Sequence, residues 1–169
     1  MTEAPRPPLD LLPAQADATE EARALLAALF AEVGLPADAR RMAALPGELR
    51  AAGGEWWVLT LRGVVAGAVG IRPGPAAGQA SLCWWGVVQA RRGMGLGRWM
   101  AEKAVAHARG ALGCPAVSAE VAPAMRRAAR LLLDMGFQPP AADFDPDAFG
   151  QTTRLVLGKS AECGTQSAE

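Results

Sequence analysis

Tyrosine is missing from this 169-residue chain, histidine occurs once, at His107, and lysine only at 103 and 159. Cysteine is scarce as well: Cys83, Cys114 and Cys163 are odd in number and far apart. They have neither the CxxC intervals nor the paired histidines that a zinc site needs, so no metal is expected and the three read as free thiols of a reducing cytoplasm. No stretch approaches the ~18 consecutive apolar residues of a membrane span. The opening "MTEAPRPPLD" places acids and prolines where a signal peptide carries a basic and then an apolar run. Neither sign of charge is in excess, with 17 basic and 17 acidic residues. No overall field therefore draws the chain to nucleic acid or an anionic membrane, and any anion site must be local. These absences predict a cytoplasmic protein of one domain, long enough to bury roughly two thirds of its unfolded surface.

What is present is an alternation of helical and strand patterns. A short strand is expected near Asp10–Ala14 and a helix over 18–33, with Glu20 and Glu21 in its first turn and Gly34 after its end. A second helical piece is expected through 37–52, interrupted at Pro46. "EWWVLTLRGVVAGAVGIRPGPAAGQASLCWWGVV" reads as three antiparallel strands, divided by Arg62-Gly63 and by the Pro73–Gly78 turn. A helix over 95–109, a strand in "PAVSAEV", a helix in "APAMRRAARLLLDM", a strand after "GFQPP" and a last strand in "QTTRLVLG" complete the order. The fold class is α+β, a mixed sheet between helices with a parallel pair across the helix that follows the glycines. The expected organisation is a flexible start over 1–9, a folded domain over 10–158 and a disordered tail over 159–169.

The stretch "QARRGMGLGRWM" carries the most chemistry. Glycines at 93, 95 and 97 let successive backbone N–H groups converge without a Cβ in the way, and a helix N-terminus adds the positive end of its dipole. Such a loop cradles a diphosphate; a plain strand-to-helix turn is the bland alternative. A P-loop is excluded because Lys103 comes too late and has no Ser or Thr after it. The dinucleotide fingerprint wants glycine where Arg98 stands and an early first strand, although Glu120 lies at a fitting interval for a ribose.

"VVQARRGMGLGRWM" resembles the acetyl-CoA-binding motif of the GNAT superfamily of N-acetyltransferases, Arg/Gln-x-x-Gly-x-Gly/Ala, met here by Arg92, Gly95 and Gly97. "SAEVAPAMRRAARLLLDMGFQP" is similar to the second half of that signature, with Ala128, Leu131, Gly136 and Phe137 in register. The resemblance spans roughly Asp10–Gly158. It implies a GNAT-like, mostly antiparallel sheet splayed between its central strands, with helices on both faces. It also implies acetyl-CoA as co-substrate, held by Val87, Val88, Arg92, Gly93, Met94, Gly95, Leu96, Gly97 and Arg98, and acylation of an amine by direct attack. The pantetheine arm is expected along the free edge left by the splay.

The match breaks where the family places asparagine and tyrosine, which here are Met125 and Leu132. Leu132 stands where relatives carry the general acid for the departing thiolate. Arg126, Arg127 and Arg130 beside it read as phosphate contacts or as a solvated face. Glu120, at the end of a strand lining the gap, is the candidate general base if Val87, Val117 and Val121 make its surroundings apolar. Cys83, Ser81 and Ser118 are candidate proton relays, and His107 reads as a packing residue at helical spacing from Met100 and Ala104. One tryptophan of each pair, Trp56-Trp57 and Trp84-Trp85, is expected on the core face, and the outward ones at an acceptor pocket or a homodimer contact. Two rival functions stay open: an acyl-CoA-binding module without turnover, acting as a sensor or interaction protein, and a nicotinamide-dependent dehydrogenase.

Overall fold

The computed structural model describes the backbone of 9–13 and residues 20–32, 34 and 47–158. The flexible start and tail expected at the two ends, Leu9 apart, and the helix expected over 37–46 lie outside the described residues. Six strands form one sheet in sequential order: β1 (Leu9–Pro13), β2 (Glu55–Leu61), β3 (Val64–Pro73), β4 (Gln79–Val87), β5 (Ala116–Val121) and β6 (Thr153–Leu157). All neighbours run antiparallel except β4 and β5, which are parallel as expected. Helix α1 (Glu20–Glu32) covers one face; α2 (Leu96–Gly110) and α3 (Arg126–Asp134) cover the other. A short helical turn occupies 47–51.

Local chemistry sets these boundaries. Arg62 and Gly63 both have positive φ, 51° and 78°, as a two-residue primed turn demands, and they fold β2 onto β3. Helix α3 ends in a Schellman motif: Phe137 N–H bonds Leu132 C=O and Gly136 N–H bonds Leu133 C=O, with Gly136 at φ 96°. The same turn drives Phe137 into the core. The strand expected after "GFQPP" is absent. A single bridge from Gln138 to Val156 replaces it, because Pro139 and Pro140 donate no hydrogen bond to a ladder. Phe144 and Phe149 instead pack on each other and on the core, 5.1 Å between ring centres.

The members of each tryptophan pair lie on opposite faces, as expected, but both faces of the sheet carry helices, so each tryptophan packs on a helix layer. Trp56 is fully buried with Leu25, Leu26 and Leu49 on the α1 side. Trp57 packs on the α2 side, edge-on to His107 at 4.8 Å, which gives the lone histidine its packing role.

The feature that shapes the centre of the sheet is a bulge in β4. Gly70 pairs with Cys83 and Ala68 with Gly86, so Trp84 and Trp85 together oppose only Val69. Trp84 has φ 49°, which costs a residue with a Cβ roughly 1–2 kcal/mol. The strain accompanies a turn of the strand: Cys83 and Trp84, though adjacent, both pack on the α1 side, while Trp85 packs on the other. From the bulge onward β4 leaves β5. The parallel ladder runs only from Gln79–Ala116 to Leu82–Ala119, and past it the facing edge of β4 has no strand partner among the described residues.

Candidate functional site

Three elements meet at the C-terminal end of β4. The 3-10 turn Gln89–Arg91 leads into a loop in which Gly93 and Gly95 have φ of 80° and 78°. Gly95 is the N-cap of α2, and no protein atom lies within 4 Å of the place where its Cβ would stand; the same holds for Gly93. That space is open for a ligand to approach backbone N–H groups at the positive end of a 15-residue helix. Gly97 is different: a Cβ there would touch Val87, Leu131 and Trp85 at 3.6–3.7 Å. Its role is close packing of the helix against β4, and the Trp85 indole fixes that contact by donating to Gly97 C=O at 3.0 Å.

A cavity of about 810 Å³ runs from this loop to the bulge. Its walls come from α1 (Leu26, Leu29, Phe30, Glu32), from Trp84–Val87, from the loop and first turn of α2, and from 124–128 and Leu131. A smaller cavity, about 50 Å³, lies in the splay itself between Leu82, Ala119, Val121 and Leu132. Trp84, Trp85 and Met125 border both. The two spaces therefore adjoin at the bulge.

Of the residues expected to hold a co-substrate, Val87, Arg92, Gly93, Gly95, Leu96, Gly97 and Arg98 line the large cavity. Val88 does not: its N–H bonds Ala66 C=O and its side chain packs on the α1 side. Nor does Met94, which is exposed. Arg92 and Arg98 are already engaged. Arg92 donates to Val87 C=O at 2.9 Å and to both Glu32 carboxylate oxygens at 2.8 and 2.9 Å, tying α1 to the glycine loop. Arg98 pairs with Glu102 one turn along its own helix. Arg91, Arg126 and Arg127 also line the cavity and have no ion-pair partner among the described residues, whereas Arg130 is bonded to Asp147. Sequence reading placed the phosphate charge on Arg92 and Arg98 because they flank the glycines; which guanidinium is free depends on Glu32, 60 residues away.

Glu120 lies at the rim of the small cavity, but not in apolar surroundings. Its side chain is 61% exposed and bonded to Arg154 of the adjacent strand at 2.8 Å. Strand alternation explains the correction, since Val117, Ala119 and Val121 belong to the α2–α3 core and Glu120 points to the opposite face. Ser118 and Ser81 hydroxyls lie 3.2 Å apart and satisfy each other. Burial pushes the Cys83 thiol up to about 12, with Arg72 opposing the shift in part. It therefore stays protonated at neutral pH and is not a nucleophile. Native protein at pH 8 is expected to alkylate at Cys83 with iodoacetamide on the order of 10³-fold more slowly than unfolded chain, given the gap of about three units in pKa. Peptide mapping by mass spectrometry reads this, and equal rates would show the thiol to be accessible.

A parallel strand pair opened by a bulge, with a glycine-capped helix across its mouth, is the arrangement that the resemblance of the glycine motif implied. The sequence model of the Acetyltransferase (GNAT) family matches residues 19–137, and the chain belongs to that family. Solved structures with the same fold include a GNAT-family acetyltransferase from Staphylococcus aureus, with TM-score 0.73 and 11% identity over 89% of this chain and 99% of that one. An acetyltransferase from Thermus thermophilus aligns with TM-score 0.67 and 21% identity over 89% and 97%. The Salmonella typhimurium protein yncA, solved with its cofactor acetyl-CoA, aligns with TM-score 0.69 and 17% identity over 95% and 99%. No curated protein matches the chain. Among the described residues no helix is long and apolar enough to cross a membrane, and no cluster of His, Cys, Asp and Glu suits a metal ion.

Proposed function

We propose that the chain is an N-acetyltransferase that binds acetyl-CoA in the large cavity and transfers the acetyl group to an amine. The observation that carries the reading is the continuity of that cavity, from an open glycine cradle at a helix N-terminus to an unpartnered strand edge beside the splay. The cradle fits a pyrophosphate because a Cβ at Gly93 or Gly95 would fill the approach and the unpaired Arg91, Arg126 and Arg127 supply charge. Val87 and its neighbours offer an edge for an amide-rich arm.

Acetyl-CoA supplies an activated acyl carbon; the chain positions it and excludes water. The bulge takes Trp84 and Trp85 out of the regular ladder with β3, and a backbone N–H there would favour charge developing on the thioester oxygen. The amine nitrogen attacks the carbonyl carbon, a C–N bond forms, the C–S bond breaks, and sulfur leaves with the bonding pair. The amine gives up a proton and the thiolate takes one, so amide and free thiol are the products. With reference pKa about 8.5, the thiolate departs without a dedicated acid. Glu120 enters this reading as a proton acceptor reached through water at the cavity rim, not as a base tuned by burial.

Titration calorimetry with acetyl-CoA and a thiol-release assay over an amine panel test the reading. Binding with release on adding an amine supports it. Binding without release from any amine favours a non-catalytic acyl-CoA-binding module, which Leu132 and Met125 at the family's tyrosine and asparagine positions keep in view. Arg126→Ala with Arg127→Ala is expected to weaken acetyl-CoA binding about tenfold, ~1.4 kcal/mol, and to flatten its salt dependence. Arg130→Ala, whose guanidinium is held by Asp147, should do neither. Equal losses from both would point to a diffuse charge effect.

A further inference from the structure

The wall of the large cavity formed by α1 and Trp84 is apolar and aromatic up to Glu32. Phe30 of α1 meets the Trp84 indole edge-on, with 4.8 Å between ring centres and planes at 64°. Leu26 and Leu29 continue the surface along the helix. The Trp84 ring is there because of the bulge: strand alternation from Cys83 would put it on the other side, and a left-handed backbone that bulky residues rarely adopt turns it back toward α1. Trp84 also borders the small cavity in the splay. A group resting on this wall stands beside the place where the acyl carbon has to lie.

Charge on the lining is lopsided. Five arginines border the cavity, and the only carboxylate among the described residues is Glu32, already bonded to Arg92. The stretch 35–46, which follows α1 in the chain, contains one acid and two arginines, so its composition offers no acidic cluster. Once the phosphates of acetyl-CoA answer these arginines, the described lining still offers a polycation no free carboxylate for its further charges. An amine with an apolar body loses little, because its one nitrogen must be neutral to attack and its body gains contact with the rings.

We infer that the acceptor is a monoamine with an aromatic or bulky apolar body, seated on Phe30, Trp84 and Leu26. Polyamines, aminoglycosides and lysines in basic peptides find no matching set of carboxylates among the described residues. The inference rests on the acetyl-transfer reading for the reaction, but the seat can be measured apart from it. The experiment uses the full chain and two probes, 2-phenylethylamine and spermidine. Calorimetry titrates each into protein with and without saturating coenzyme A, and thiol release from acetyl-CoA follows turnover. 2-Phenylethylamine is expected to bind at least tenfold more tightly than spermidine and, if transfer occurs, to show the higher kcat/KM by the same factor. Phe30→Ala should raise its Kd or KM at least tenfold, weaken acetyl-CoA binding by a much smaller factor, and be rescued by Phe30→Trp. A preference for spermidine, no binding of 2-phenylethylamine, or an equal loss of acetyl-CoA and amine affinity in a folded Phe30→Ala protein would overturn the seat. 2-Phenylethylamine binding upholds the seat whether or not turnover follows, whereas release from no amine of the panel, or failure of acetyl-CoA to bind, would sink only the enzyme reading.

Discussion

Gly95→Val is expected to weaken acetyl-CoA binding by more than tenfold. Two effects combine at this position. Valine must adopt φ near 78° to keep the N-cap geometry, a conformation that is unfavourable for any residue with a Cβ and worst for a branched one. Its methyl groups would also point into space that no protein atom occupies within 4 Å, so the structure accommodates them and a pyrophosphate does not. Gly97→Ala is the informative companion. The new methyl would make ordinary contacts at 3.6–3.7 Å, and alanine in a helix gains roughly 0.5–1 kcal/mol over glycine. That variant should melt at the same or a higher temperature and bind nearly as well. If Gly95→Val folds and keeps its affinity, the diphosphate does not lie on this cradle.

Leu132→Tyr is expected to speed transfer to any amine the parent accepts, by up to ~10²–10⁴-fold, the range general acid catalysis contributes. Leu132 is fully buried in α3 and borders the small cavity in the splay, where Met125 and Cys83 are its neighbours. A phenol there would enter the small cavity that adjoins the large one, close to where the proposed reaction has the sulfur depart. Part of the added volume falls in the existing 50 Å³, and the rest overpacks the core at about 1–3 kcal/mol, visible as a lower melting temperature. The gain should fade as the phenol ionises near pH 10. A folded variant that binds acetyl-CoA like the parent yet releases thiol no faster would show that protonation of sulfur is not the limiting step.

Sequence alone reached a good deal of this, for reasons that can be named. Strands β2 to β4 were legible because their β-branched and aromatic runs are bounded by a primed turn and a proline-glycine turn. Helix α2 was legible because an apolar stripe follows glycines suited to an N-cap. Gly93, Gly95 and Gly97 were found together, yet they serve two purposes, open approach at 93 and 95 and close packing at 97, and only the surroundings of each Cβ separate them. The bulge was hidden, since two adjacent tryptophans read as simple alternation unless the register against Gly70 and Ala68 is known. The ion pair of Arg92 was hidden for the same kind of reason: its proximity in sequence to the loop was visible, and its carboxylate partner on α1 was not. The strand after "GFQPP" was expected from element order, while the two prolines that prevent it were visible and underweighted.

The parallel ladder between β4 and β5 has mechanical consequences. With four residue pairs it is, among the described residues, the only strand seam joining the β1–β4 portion, which carries α1, to the β5–β6 portion, which carries α3. Amides of Ala116–Ala119 should exchange with deuterium earlier than those in the middle of the β2–β3 hairpin, and a molecule spanning the splay from Val87 to Leu131 would act as a brace between two plates, slowing that exchange and raising the melting temperature in proportion to the logarithm of its concentration.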